Sequence, residues 1–253
     1  MTIGAGFQCS DGVVLCADRE LSFGQDFKDY AQKIYVIDGL NWAAAFAFAG
    51  DENLMRLVWD DFCEDLLSSI RNNRPTIKEF KEFLGERLRK TRDEQARSSE
   101  LNLDLLVGVS TSDERPTLIK GVSTAVVDAG SYEFIGMGNS ELARYLFGLF
   151  GRIPPLKVQQ ALRFGVYTVS KVKEYVQGCG GGTDAAVIRE GGRFDQVPDL
   201  DEIEMQNSLV EDAVRYLLLA LADPETPKEE FERKLHEFDE KMTKYRSDCR
   251  CAI

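Results

Sequence analysis

From the third residue to Gly50, apolar and polar positions fall into short runs that read as strands: residues 3–9, 13–18 and 33–37, then the apolar block WAAAFAFAG. The period then changes. Leu54, Leu57, Val58, Phe62, Leu66 and Ile70 recur at helical spacing behind Asp51, an N-cap candidate. Thr76 and Glu79 form an S/T-x-x-E capping box, which opens a second helix with Ile77, Phe80, Phe83, Leu84 and Leu88 inward and the polar TRDEQARSSE at its end. Strands resume at residues 101–109, 116–121 and 132–135, separated by turn-forming stretches such as TSDERP. Ser140 heads a further helix. Pro155 heads another that runs to about Val176 with Val158, Ala161, Leu162, Val169 and Val172 on its inner side. GCGGGTD then leads into the strand AAVIRE.

Strands, helix pair, strands, helix pair, strands is the order of an α+β protein. Two sheets face each other, and each needs a helix pair on its outer face to cover its second side. From Ser208 onward the pattern is helical again, with Ser208 and Glu211 as one capping box and Thr226, Pro227 and Glu229 as another. We therefore expect a main domain over residues 2–200 and a C-terminal helical extension over 201–253. That extension reads as helices covering surface, with an interaction arm as the alternative.

Composition narrows the chemistry. With 253 residues, 43% of them hydrophobic, the chain can bury a core without covalent staples. The cysteines at 9, 16, 63, 179, 249 and 251 show no paired metal-type spacing apart from Cys249-Arg250-Cys251, and the single histidine, His236, lies in a charged segment. These spacings argue against zinc chemistry and a histidine-based triad, and no cofactor is expected. There is no apolar run of about 18 residues, no signal-like start and no CaaX box, so a soluble cytoplasmic protein is expected. A net charge of −12 argues against nucleic acid or an anionic membrane as partner.

Ser10-Asp11-Gly12 separates the first two strands. A three-residue loop with positive φ at Gly12 would set Cys9 opposite Val13 and Asp18 opposite Gly4, on the same face as Thr2. An Asp11-Gly12 two-residue turn would place Asp18 and Thr2 on opposite faces. Thr2 matters because its small side chain permits removal of Met1. The free α-amine, with an unperturbed pKa of about 7.7 to 8.0, would then sit beside the hydroxyl as its general base.

SDGVVLCADRE, AQKIYVID, AFAGDENL, IGMGNS and GGGTDAAVI, in that order, resemble β-type subunits of the proteasome family, the N-terminal-nucleophile hydrolases, over residues 2–197. The resemblance implies a four-layer αββα sandwich of two antiparallel sheets flanked by helix pairs, with the active-site threonine first in the mature chain. It matches Thr2 to that threonine, Asp18 to the family's aspartate and Lys33 to its lysine. Lys33 would act by its positive field and Asp18 would orient it. The oxyanion glycine aligns with Ala47, whose backbone N–H is equivalent. A serine between two glycines becomes Met137, a second aspartate becomes Val176, and a late serine becomes Cys179. Cys179, Thr183 and Asp184 are the candidates to orient the amine in their place. Ala45 aligns with the base of the substrate pocket, with Leu21, Ala31, Ala49 and Asn53 around it. These neutral positions imply a preference for large apolar side chains. The implied function is a threonine endopeptidase or amidase acting on peptides in a ring of like subunits, with an ATPase or activator ring as a potential partner and no autocatalytic processing. A catalytically silent ring subunit and a stand-alone amidase are the alternatives.

Overall fold

The computed structural model describes residues 2–23, 27–70, 75–94, 103–136, 141–149, 155–197 and 199–251. Met137 and Ser140 lie outside the described residues. The chain divides into two compact units, Met1–Val197 and Pro198–Ile253.

In the first unit the strands are β1 (Gly4–Gln8), β2 (Gly12–Asp18), β3 (Glu20–Phe23), β4 (Phe27–Tyr30), β5 (Ile34–Gly39) and β6 (Trp42–Gly50). Helices α1 (Glu52–Ile70) and α2 (Ile77–Glu94) follow, then β7 (Leu103–Thr111), β8 (Thr117–Val122), β9 (Ala125–Asp128) and β10 (Tyr132–Ile135). Helices α3 (Glu141–Leu149) and α4 (Val158–Tyr175) precede β11 (Thr183–Arg189) and β12 (Arg193–Asp195). Among the described residues the strands form two five-stranded sheets, ordered β10-β1-β2-β11-β12 and β5-β6-β7-β8-β9, and a β3-β4 ribbon. Every pairing is antiparallel.

Alternation along β6 shows why this is a sandwich. Ala43, Ala45, Ala47 and Ala49 point at the other sheet and pack with Val13, Leu15, Ala17, Ala186 and Ile188. Phe46 and Phe48 point the other way, onto Phe62, Leu66, Phe80 and Leu84 of α1 and α2. On the outer face of the first sheet, Phe7 stacks on Phe147 of α3 at 5.7 Å and meets Phe164 of α4 edge-on at 6.2 Å. On β6, therefore, small residues face the sheet-to-sheet layer, where they meet aliphatic side chains, and large aromatics face the sheet-to-helix layer.

Local signals set the helix starts. Asp51 Oδ1 accepts from the N–H groups of Asn53 (2.8 Å) and Leu54 (3.2 Å). Thr76 and Glu79 close their reciprocal box at 2.8 and 3.1 Å, and the Thr76 N–H (2.8 Å) and hydroxyl (2.9 Å), both donating to Glu79 Oε2, hold that carboxyl below its usual pKa. Phe46 lies within 5.2 to 6.2 Å of the rings of Phe48, Trp59, Phe62 and Phe80. Phe46→Ala is therefore expected to cost about 3–5 kcal/mol, read as a lower urea midpoint at unchanged m-value.

The first hairpin differs from expectation. Gly4 pairs with Ala17 and Gln8 with Val13, and Cys9 N–H donates to Gly12 O at 2.7 Å, so only Ser10 and Asp11 turn the chain. Gly12 is not among the positive-φ residues. It is glycine because a Cβ there would strike Ile188 O and lie 2.7 Å from Val158 Cγ2. The turn is held by Asp11, which accepts from Val158 N–H (2.8 Å) and Arg189 Nη1 (2.9 Å). Helix α4 correspondingly begins at Val158 rather than Pro155.

The second unit is a pair of helices, α5 (Leu200–Ala222) and α6 (Lys228–Cys251). Asp199 caps α5 by accepting from Glu202 N–H at 3.0 Å, so Ser208 lies inside the helix and is not a cap. Thr226 lies two residues before the start of α6, and its hydroxyl donates to Asp223 at 3.0 Å; Pro227 O takes the first helical bond, from Phe231. Among the described residues no helix is long and apolar enough to cross a membrane.

Candidate active site

At one end of the first sheet, β2 finishes at Asp18, whose side chain is fully buried. Asp18 N–H donates to Ile3 O at 3.2 Å, and Ile3 N–H donates to Asp18 Oδ1 at 3.0 Å. Asp18 is therefore opposite Ile3 rather than Gly4, and the shared face with Thr2 that the three-residue loop implies is lost in this register. The tighter turn shifts the whole register. Lys33, 1% exposed, enters from the residue before β5, and its Nζ donates to Asp18 Oδ1 at 2.9 Å and to Glu20 O at 2.5 Å. One carboxylate oxygen therefore takes both the ammonium of Lys33 and the peptide N–H that joins Thr2 to Ile3. The other, Oδ2, accepts from Gly180 N–H at 3.0 Å. Thr2 itself is buried at 6% exposure.

A second carboxylate locks the frame. Asp184 Oδ1 accepts from Arg19 Nε at 2.6 Å, and its Oδ2 accepts from the backbone N–H of Lys33 at 3.2 Å. Asp184 thereby fixes the main chain from which Lys33 projects. Thr183 pairs with Asp18 across the sheet, and its hydroxyl takes a bond from Lys173 Nζ at 2.9 Å. Cys179 is 5% exposed, and burial first, then the Asp18 and Glu20 carboxylates, push its thiol up to about 12 despite the nearby Lys33. At neutral pH it is a protonated thiol, able to donate a hydrogen bond but not to act as a thiolate nucleophile. Val176 ends α4, where its carbonyl accepts from Cys179 N–H at 3.2 Å.

Two expectations do not survive the strand geometry. Phe48 N–H donates to Lys33 O at 3.2 Å, and successive N–H groups of a strand face opposite edges, so Ala47 turns its N–H toward its β7 partner Leu106. That orientation removes Ala47 as an oxyanion donor. Ala45 is completely buried between the sheets, so it does not floor an open pocket. Ala49 is buried beside Gly136, Leu21 and Ala31 are half-buried around the β3-β4 ribbon, and Asn53 is exposed on α1. Arg19 and Glu20 are not singled out by sequence pattern. Their only signal is two charges directly after the aspartate that ends β2, and nothing local says that Glu20 is 3% exposed while Arg19 pairs with Asp184.

Two sheets face to face, helix pairs outside, and the first residues of the chain led onto a buried lysine–aspartate pair define a protein with the N-terminal-nucleophile sandwich fold. The chain belongs to the proteasome subunit family, whose model matches residues 2–188. No curated protein sequence gives a significant match. Among solved structures it resembles Anbu, described as an ancestral β-subunit, from Yersinia bercovieri, with a TM-score of 0.73 at 14% identity over 90% of this chain and 100% of that one. An Anbu (Gly-1) mutant from Hyphomicrobium sp. strain MC1 gives 0.72 at 15% identity over 86% and 96%. The helical assembly of the Anbu complex from Pseudomonas aeruginosa gives 0.70 at 15% identity over 89% and 98%. At these identities the likeness is one of fold.

Proposed function

We propose that the chain is an N-terminal threonine hydrolase that cleaves peptide or amide bonds within an assembly of its own copies. The observation that carries this reading is the shared oxygen: Asp18 Oδ1 binds both Lys33 Nζ and the N–H of the Thr2–Ile3 peptide. Removal of Met1 would leave Thr2 with its hydroxyl and a free amine on one residue. The amine takes the hydroxyl proton, directly or through water, as Thr2 Oγ attacks the carbonyl carbon, and it returns that proton to the departing amine. Water then hydrolyses the acyl ester. Lys33 holds a buried positive charge that favours the alkoxide-like nucleophile, and Asp18 keeps that charge oriented. Cys179, as a neutral donor, and Asp184, through Lys33, support the same end of the sheet. Family membership and the helical assembly described for one of the solved relatives support self-association of this chain.

Intact mass of the purified protein should correspond to a chain beginning at Thr2 with an unmodified amine, and a peptide vinyl sulfone should label that residue stoichiometrically. A population that wholly retains Met1 or is N-acetylated would overturn the hydrolase reading and leave a structural subunit.

A further inference from the structure

The wall against which Thr2 rests is built by Gly136, the residue that follows β10. Gly136 has φ +79°, and a Cβ there would strike the carbonyl oxygen of Thr2 and lie 3.0 Å from Ala49 Cβ. Only a glycine fits between that carbonyl and β6. Its backbone N–H is taken by Asp104 Oδ2 at 3.3 Å. Asp104 is half-buried near the start of β7, where its cross-strand neighbours are Ala49 and Val122, both apolar. β7 and β10 belong to different sheets, so this bond ties the two sheets together at the end where Thr2 lies.

We propose that Asp104 is a positioning residue for Thr2, acting through Gly136: it holds the Gly136 N–H, and Gly136 in turn fixes the Thr2 carbonyl. This rests on Thr2 being the nucleophile. The chemical logic comes from what the segment lacks. The resemblance calls for a hydroxyl at the next residue to orient the N-terminus, and this chain carries Met137 there. A carboxylate on the neighbouring sheet supplies an acceptor for the same turn. It fixes the main chain of the segment, where the hydroxyl would have contacted the amine itself. A carboxylate and an amide both offer an oxygen to Gly136 N–H, so the role depends on the acceptor and not on the charge.

The test compares Asp104→Ala with Asp104→Asn in the full chain. Two readouts are followed: the rate of Thr2 labelling by the peptide vinyl sulfone, and hydrogen exchange at the amides of Gly136 and Ile3. Asp104→Ala should label at least about tenfold more slowly, because a loosened Thr2 loses its attack geometry, and both amides should exchange faster. Asp104→Asn should match the wild type in both. Wild-type labelling in Asp104→Ala, unchanged exchange at Ile3, or an Asp104→Asn variant as defective as Asp104→Ala would each overturn the proposal. If no preparation labels, wild type included, while Asp104→Ala alone exchanges faster, the nucleophile reading falls and the Asp104 contact on the Thr2 segment stands.

Discussion

Lys33→Ala should all but abolish labelling of Thr2, with a loss of about 10²–10³-fold, the range associated with removing one preorganised electrostatic group. The reason is local. Lys33 Nζ bonds to main-chain and carboxylate oxygen, Glu20 O and Asp18 Oδ1, so its deletion removes the positive charge from the site, and because the side chain is fully buried it removes the volume of the alkyl stem as well. Stability should fall as well. Asp18 is fully buried, and without Lys33 its carboxylate keeps, among the described residues, the N–H groups of Ile3 and Gly180. An uncompensated buried charge costs about 3–5 kcal/mol. Lys33→Met, which fills the volume without the charge, separates the two effects: it should lose labelling to the same extent, and its urea midpoint will report the electrostatic part of the stability. Labelling of either variant at the wild-type rate would show that the site works by another arrangement.

Gly136→Ala should be the most damaging small substitution near Thr2. Two costs coincide at this position. A non-glycine residue at φ +79° carries backbone strain of about 1–3 kcal/mol. The new Cβ also collides with the Thr2 carbonyl oxygen, and Ala49 at 3.0 Å blocks movement the other way. The Thr2 carbonyl must therefore shift, and a displacement of about 1 Å at a nucleophile is enough for a roughly hundredfold loss. The signature is slow Thr2 labelling in a protein whose far-ultraviolet spectrum and oligomeric state match the wild type. Near-normal labelling would mean that the Thr2 carbonyl has room the present geometry denies it.

The legible parts of this protein are those governed by local periodicity. The apolar block WAAAFAFAG reads as a strand and is one, Trp42–Gly50, while packing sends its alanines to the other sheet and its phenylalanines to the helices. Asp51 and the Thr76–Glu79 box are recognisable because a cap is satisfied within three residues of itself. The spacing of Thr2, Asp18 and Lys33 is legible only through the resemblance, since nothing in the apolar pattern distinguishes a buried lysine from a solvated one. The ribbon of β3 and β4, and the edge strands β9 and β12, escape the pattern because they are short. A strand of three or four residues leaves few alternating positions to stand out from a loop; β10, equally short, is legible because its run YEFI sits between turn residues.

What the sequence determined by itself was the order of the helices and the longer strands, the inner faces of the first helices and the residue types available for chemistry, because each depends on neighbours a few positions away. Tertiary structure decided the rest. The register of the first hairpin follows from Asp11 reaching Val158 and Arg189. The edge that Ala47 turns its N–H toward depends on which strand lies on each side of β6. Gly136 is held by Asp104 from the opposite sheet, 32 positions away in the chain. Such contacts form only when separate segments are packed together, and their partners leave no periodic trace in either segment.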